Sequence, residues 1–384
     1  MATPSPKSAS TRPDVSLLVV TGLLVVVGFM MVLSASAPTA QFQLRDSLFF
    51  FKKQVAWGAL GVVAMVVGMA MPLDRLRTFA KTGMIGTGLM MIATHVPHLG
   101  VSAYGAARWL KVGPFQVQPS EFAKLALVLF VADFLARHAE KGWRLTKELR
   151  QILLPIGGML GLVLFQPDLG TTLICAVTCF ALFWANGTPG GRMAAWGIAG
   201  VAGVLVHSLS TPYQRVRWLA FMDPWKYPKD IGFQLVQSLL AIGSGGIFGT
   251  GWGQGKQKLF YLPIQHADFI FAVLAEELGL LGTVTLIVLF LLFAQRGFSI
   301  AGRSQQPFHQ LLAIGLTTLI GAQAFVNIGV VTASLPTTGI PLPFLSAGGT
   351  SLMITLFAVG LILNVSRQSR VQLRLVQPGE EAPW

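Results

Sequence analysis

Apolar residues run through this chain in windows of about 20, the length an α-helix needs to cross a bilayer. The windows fall near 15–37, 54–72, 80–97, 119–137 and 151–166. Five more lie near 169–187, 191–209, 268–294, 308–334 and 345–366. They predict an all-α polytopic membrane protein of about ten transmembrane helices, with both termini on one side. The expected organisation is a tail over 1–14, a ten-span domain over 15–366 and a tail over 367–384. The third window is interrupted by His95 and Pro97, and Gln166-Pro167-Asp168 splits the 151–187 pair. Alternating ten-residue segments, the mark of a transmembrane barrel, do not dominate anywhere.

Polar links between windows are short, except for residues 210–267. A loop of that length without a role is uncommon. Within it, Phe233 to Leu240 has the pattern of an amphipathic helix lying in the membrane interface. The Gly-rich run Gly243–Gly255 fails as a P-loop, because Gly255-Lys256 leads to Gln257 and position 250 is Thr250. Flexible surface turns are the expectation there. No internal repeat is evident.

Composition agrees with the pattern. Hydrophobic residues fill 53% of 384 positions and charged ones only 11%, against about 25% charged in soluble domains. A net charge of +13 would suggest nucleic acid in a soluble protein. Here the cations cluster in short loops, so no nucleic-acid partner is expected. Sixteen Lys and Arg flank spans on the side of the termini; eleven lie opposite, six of them in the long loop. Long loops translocate largely regardless of charge, which places both termini in the cytoplasm and 210–267 outside. Lys7, Arg12 and Ala35-Ser36-Ala37 imitate a signal peptide, but the run Val15 to Leu33 exceeds the usual ~7–15 residues. It is expected to stay as the first span. Cys175 and Cys179, four apart in an apolar segment, read as small core residues.

Charges inside such windows narrow the search for chemistry. Placing one at the bilayer centre costs roughly 2.5–3.5 kcal/mol on insertion scales, so intramembrane acids usually mark function. Asp268, Glu276 and Glu277 open the eighth window, and Asp268, just after His266, is the expected working group. Other outward clusters are Arg108-Trp109; Gln118, Ser120, Glu121 and Lys124; and Asp168, a candidate N-cap. Glu121 and Lys124 share a helix face at i, i+3 and could pair. Asn327 lies within the ninth window, and the uncharged Pro/Gly-rich stretch after it ends on Thr350 and Ser351.

These motifs carry a resemblance. Arg108-Trp109, GPFQVQPSEFAKL (113–125), FQPDLGTTL (165–173), QLVQSLLAIGSGGIFGTGWG (234–253), KLFYLP with His266 and Asp268, and LPTTGIPLPFLSAGGTSL (335–352) follow one another in order. In them the chain resembles the SEDS family (shape, elongation, division and sporulation proteins), and its FtsW/SpoVE branch more than its RodA branch. Departures are Ala267 for the usual Thr, no acid at Ile264 or Gln265, Ala107 within the Gly105–Trp109 motif, and Ala347 for an aromatic. The resemblance implies a glycosyltransferase polymerising lipid II (undecaprenyl-pyrophosphoryl disaccharide-pentapeptide) at the outer face of the bacterial cytoplasmic membrane during division. It implies Asp268 as the catalytic base, accepting a proton from an attacking sugar hydroxyl. Arg108, Gln118, Ser120, Glu121, Lys124, Arg215, Arg217, His266, Asn327 and Ser351 become candidate substrate contacts. A class B penicillin-binding protein and other divisome proteins are the implied partners. A divalent cation, Mg or Mn, stays open as a cofactor, and a lipid II flippase is the alternative function.

Overall fold

Asp14 opens the first helix, its side chain accepting a hydrogen bond from Leu17 N at 3.0 Å. From there α1 runs over Val15–Leu44. The computed structural model describes residues 13–96, 98–103, 106–113, 115–139, 147–228, 231–257 and 267–376. Ala35 and Ser36 are buried in mid-helix, so the segment that imitates a cleavage site is a packed part of α1.

Helices α2 (Phe49–Ala70), α3 (Leu73–Thr78) and α4 (Ala80–Ala93) follow. The next link holds what the apolar pattern did not predict, a three-stranded antiparallel sheet. Strands β1 (Gly100–Ala103), β2 (Ala106–Val112) and β3 (Phe115–Val117) lie in that order, with Leu110 paired to Gly100 and to Val117. Strands of three to seven residues leave no trace in a 20-residue window. Beyond the sheet come α5 (Pro119–His138), α6 (Lys147–Phe165), α7 (Leu169–Ala185) and α8 (Gly190–Ser210). The chain ends through α9 (Pro212–Met222), α10 (Phe233–Gly245), α11 (Ile270–Gly302), α12 (Pro307–Val331) and α13 (Gly349–Val376).

Every predicted apolar window is a helix. Among the described residues six of them, α1, α2, α8, α11, α12 and α13, are long and apolar enough to cross a membrane by themselves. The protein is a multi-pass α-helical membrane protein. α12 packs on α5, α7, α11 and α13, and so forms the middle of the bundle. α13 lies most extensively along α2, where small residues let the backbones approach. A Cβ at Gly68 would stand 2.9 Å from Phe357 O, and one at Gly360 would collide with the Met65 backbone. Cys175 and Cys179 are free and buried in α7, as core residues.

The 210–267 segment is more structured than a loop. α10 does form where the amphipathic pattern placed it, but it packs against the bundle, burying Leu235, Val236 and Ala241. Its Ser238 Oγ donates to Val331 O at 2.6 Å. The Gly-rich run is likewise pinned rather than loose. α11 breaks at Gly279 (φ 64°, ψ −161°), and the run inserts at the break. Thr250 N and Gly251 N donate to the carbonyls of Glu276 and Glu277, while Leu280 N and Leu281 N donate to those of Gly246 and Ile247. The two carboxylates complete the clasp. Glu276 accepts from Lys256 N at 2.7 Å and from Gln257 N; Glu277 accepts from Gly253 N at 3.0 Å and from Ser34 Oγ of α1 at 2.6 Å.

Candidate active site

Pro119 at the first position of α5 pre-sets the helical φ, and the acidic Glu121 suits the positive helix start. One turn on, Lys124 Nζ lies 2.9 Å from Glu121 Oε1 and 2.7 Å from Gln323 Oε1 of α12. Both members of the ion pair are 3% exposed. Lys124 is therefore enclosed within the bundle, with Leu125, Leu319, Ile320 and Ile354 around the pair. Ser120 is buried too, its hydroxyl without a partner among the described residues.

Gln323 passes the connection on. Its Nε2 donates to Pro341 O at 2.9 Å, and one helical turn later Asn327 Nδ2 donates to Ile340 O at 2.7 Å. The same Asn327 amide reaches Asp268 O at 2.8 Å. These two amides tie α12 to the irregular stretch 337–346 and to the turn, 267–269, that enters α11. Asn327, a candidate substrate contact, is 1% exposed, and its amide nitrogen holds backbone.

Asp268 sits in that turn, ahead of the helix proper, with part of its side chain open. It does not cap the helix: no side-chain bond closes the start of α11. Its Oδ2 is 3.5 Å from where a Cβ on Gly339 would stand. The guanidinium groups of Arg217 and Arg108 and the Asp168 carboxylate all act on it electrostatically. Burial pushes the Asp268 carboxyl up to about 6, Arg217 pulls it back, Asp168 adds to the rise and Arg108 opposes it. A carboxylate with that value is poised to exchange a proton near neutral pH.

The neighbours are anchored by backbone. Arg108, on β2, donates Nε to Gln166 O at 2.9 Å and Nη2 to Pro167 O. Arg217, on α9, donates Nη1 to Thr337 O at 3.0 Å. Asp168 is the N-cap that the sequence suggests, accepting from Thr171 N at 3.0 Å and Thr171 Oγ1 at 2.9 Å. Three separate elements, β2, α9 and the start of α7, thus converge on Asp268.

The remaining candidates are scattered. Arg215 is exposed and donates to Leu209 O at the end of α8, turned away from Asp268 by its two-residue offset from Arg217. Gln118 precedes α5 without a capping bond, and Ser351 is buried in the first turn of α13. His266 lies outside the described residues. Gln323 was missed, because an uncharged amide in an apolar helix does not register in a search for charges. Glu276 and Glu277 do not join Asp268; they bind the Gly-rich run. No cluster of three metal-ligating side chains occurs among the described residues.

Residues 14–371 match the FtsW/RodA/SpoVE family, described as cell cycle proteins. The chain belongs to that family. It is 40% identical over 363 residues to stage V sporulation protein E of Bacillus subtilis, covering 94% of this chain and 98% of that one. It is 39% identical over 359 residues to a probable peptidoglycan glycosyltransferase FtsW of Geobacter metallireducens, covering 94% and 96%. Among solved structures it resembles a chain from a peptidoglycan synthase complex that couples polymerization and crosslinking. The TM-score is 0.76 at 31% identity, covering 93% of this chain and 98% of that one. Rod shape determining protein RodA of Thermus thermophilus matches with a TM-score of 0.69 at 28% identity, covering 93% and 97%. The expected family and the polytopic fold are thereby both shown.

Proposed function

We propose that this protein is a peptidoglycan glycosyltransferase that polymerises lipid II into glycan strands, with Asp268 accepting the proton of the attacking sugar hydroxyl. The observation that carries the reading is a half-buried carboxylate in the turn that enters α11, raised to about 6 by burial, with the guanidinium groups of Arg217 and Arg108 acting on it. Relatives at 39–40% identity named for sporulation or for peptidoglycan glycosyltransferase activity support it.

The chemistry follows from the arrangement. A sugar hydroxyl is a poor nucleophile at neutral pH, and a positioned base removing its proton contributes ~10²–10⁴-fold. As the new glycosidic C–O bond forms, the bond to the lipid pyrophosphate breaks and negative charge grows on the leaving group. Arg108 and Arg217 place guanidinium groups where they act on Asp268, each with five N–H donors. Such groups are suited to the phosphates of the leaving group. Lys124, 3% exposed, supports the site through Gln323.

Orientation, place and partners complete the proposal. Both termini are cytoplasmic, the Asp268 mouth faces outward, and the protein works at the division septum within the divisome. Its partner is a class B penicillin-binding protein whose transpeptidase crosslinks the strands made here. One structural relative comes from a synthase complex that joins polymerization to crosslinking, which supports this partnership. The test is synthesis from labelled lipid II by the purified chain, alone and with its transpeptidase. Strands that lengthen faster with the partner, even one lacking its active-site serine, support the reading. Movement of lipid II across vesicles without strand synthesis would instead identify a flippase.

A further inference from the structure

Residues 337–346 carry no charge and no regular structure, yet they bond to α9, to α12 and to the turn that enters α11. Thr337 O accepts from Arg217, Ile340 O from Asn327 and Pro341 O from Gln323. At the far end of the stretch, Ser346 Oγ accepts from Leu342 N at 2.8 Å and donates to Ala267 O at 2.6 Å. Ala267 immediately precedes Asp268, whose own carbonyl is held by Asn327. Two consecutive carbonyls of the catalytic turn are thus fixed by two buried side chains from different segments.

Ser346 is itself braced. Its carbonyl accepts from Gln54 Nε2 of α2 at 3.2 Å. Two residues before it, Phe344 adopts a left-handed φ of 66°, a conformation a bulky residue keeps only when packing enforces it. The enforcing contacts are Phe290 and Phe293 of α11, with ring centroids 6.4 and 5.7 Å away. At 4% exposure, with its single O–H donor committed to Ala267 O, Ser346 is placed to hold backbone rather than to meet a substrate.

We propose that Ser346 is a positioning residue for glycosyl transfer, holding the Ala267–Asp268 turn so that the carboxylate keeps its place between Arg108 and Arg217. The inference rests on the reading of Asp268 as proton acceptor. Without the Ser346 bond, Asn327 is the one side chain among the described residues that still holds a carbonyl of the turn, which is then freer to pivot. Displacing a catalytic group by about 1 Å can lower turnover by about 10²-fold.

The experiment is steady-state polymerisation of labelled lipid II by full-length Ser346→Ala and Ser346→Thr proteins, with a pH profile and thermal unfolding of each. Ser346→Ala is expected to lower kcat by about 10- to 100-fold while KM stays within about threefold of wild type. The acidic limb of its profile moves to lower pH, because a carboxyl freed to pivot gains water. Ser346→Thr, which keeps the hydroxyl, restores most of kcat and the original limb. Ser346→Cys, similar in size but a weak donor, replaces the alanine variant if that protein does not fold, with the same expected direction. Wild-type kcat and an unmoved acidic limb in either apolar or weak-donor variant overturn the proposal. If Asp268→Asn is inactive while Ser346→Ala is fully active, only this inference falls; if Asp268→Asn polymerises, the reading of the site falls first.

Discussion

Lys124 Nζ sits 2.9 Å from Glu121 Oε1 in a part of the bundle where both residues are 3% exposed. Breaking such a pair from one side leaves an uncompensated buried charge, which typically destabilises by about 3–5 kcal/mol. Lys124→Met and Glu121→Gln are each expected to lower the melting temperature clearly. The double variant should melt closer to wild type than either single one, since replacing both partners can be nearly neutral. A double-mutant cycle on thermal unfolding decides this. Additive losses would mean that the two charges serve separate partners.

The raised Asp268 carboxyl sets a pH dependence. Proton acceptance needs the ionised form, so polymerisation should fall as pH drops through about 6, the value to which burial brings it. For stability the sign is opposite. A carboxyl raised from 3.8 to about 6 favours the folded state below its unfolded value, and that contribution is lost as pH rises through the window between. Initial rates between pH 5 and 8, at saturating lipid II, test the first statement. A rate flat across pH 6 would remove Asp268 as the titrating group.

Gly279 and Gly113 both have left-handed φ, 64° and 60°, but different surroundings. A Cβ on Gly279 would collide with Gly249 N, inside the clasp made by Glu276 and Glu277, whereas one on Gly113 meets nothing within 4 Å. Gly113→Ala should cost only the left-handed penalty, about 1–2 kcal/mol. Gly279→Ala should cost more, because it also unseats the Gly-rich run from the break in α11. Comparative melting of the two variants checks this, and equal losses would show that the clasp adds no stability.

Much of this arrangement could be read from the chain. The helices were legible because a bilayer demands long apolar windows, and Glu121, Lys124, Asp168 and Asp268 stood out because charge in such windows is costly. The Glu121–Lys124 pair and the Asp168 cap follow from helical spacing alone. The β-sheet bearing Arg108 was not legible, since short strands between spans carry no hydropathy signal. Nor could sequence tell Arg215 from Arg217, which differ only in which way α9 turns them. Glu276 and Glu277 misled for a related reason. They are buried acids, but most of their partners are backbone N–H groups at and just after the glycine run, 19 to 24 positions earlier, and backbone is invisible in a list of side chains. Gln323 and Ser346, neutral and small in effect on hydropathy, emerge only from their hydrogen bonds.

Asp268→Asn is the most direct measurement. The amide keeps the shape of the side chain and the backbone bonds from Asn327 and Ser346, and removes the basicity. Polymerisation of labelled lipid II by the purified variant should fall by the ~10²–10⁴-fold that general-base catalysis contributes. Lipid II binding and the melting temperature should stay near wild type. Glycan synthesis at the wild-type rate by Asp268→Asn would contradict the account.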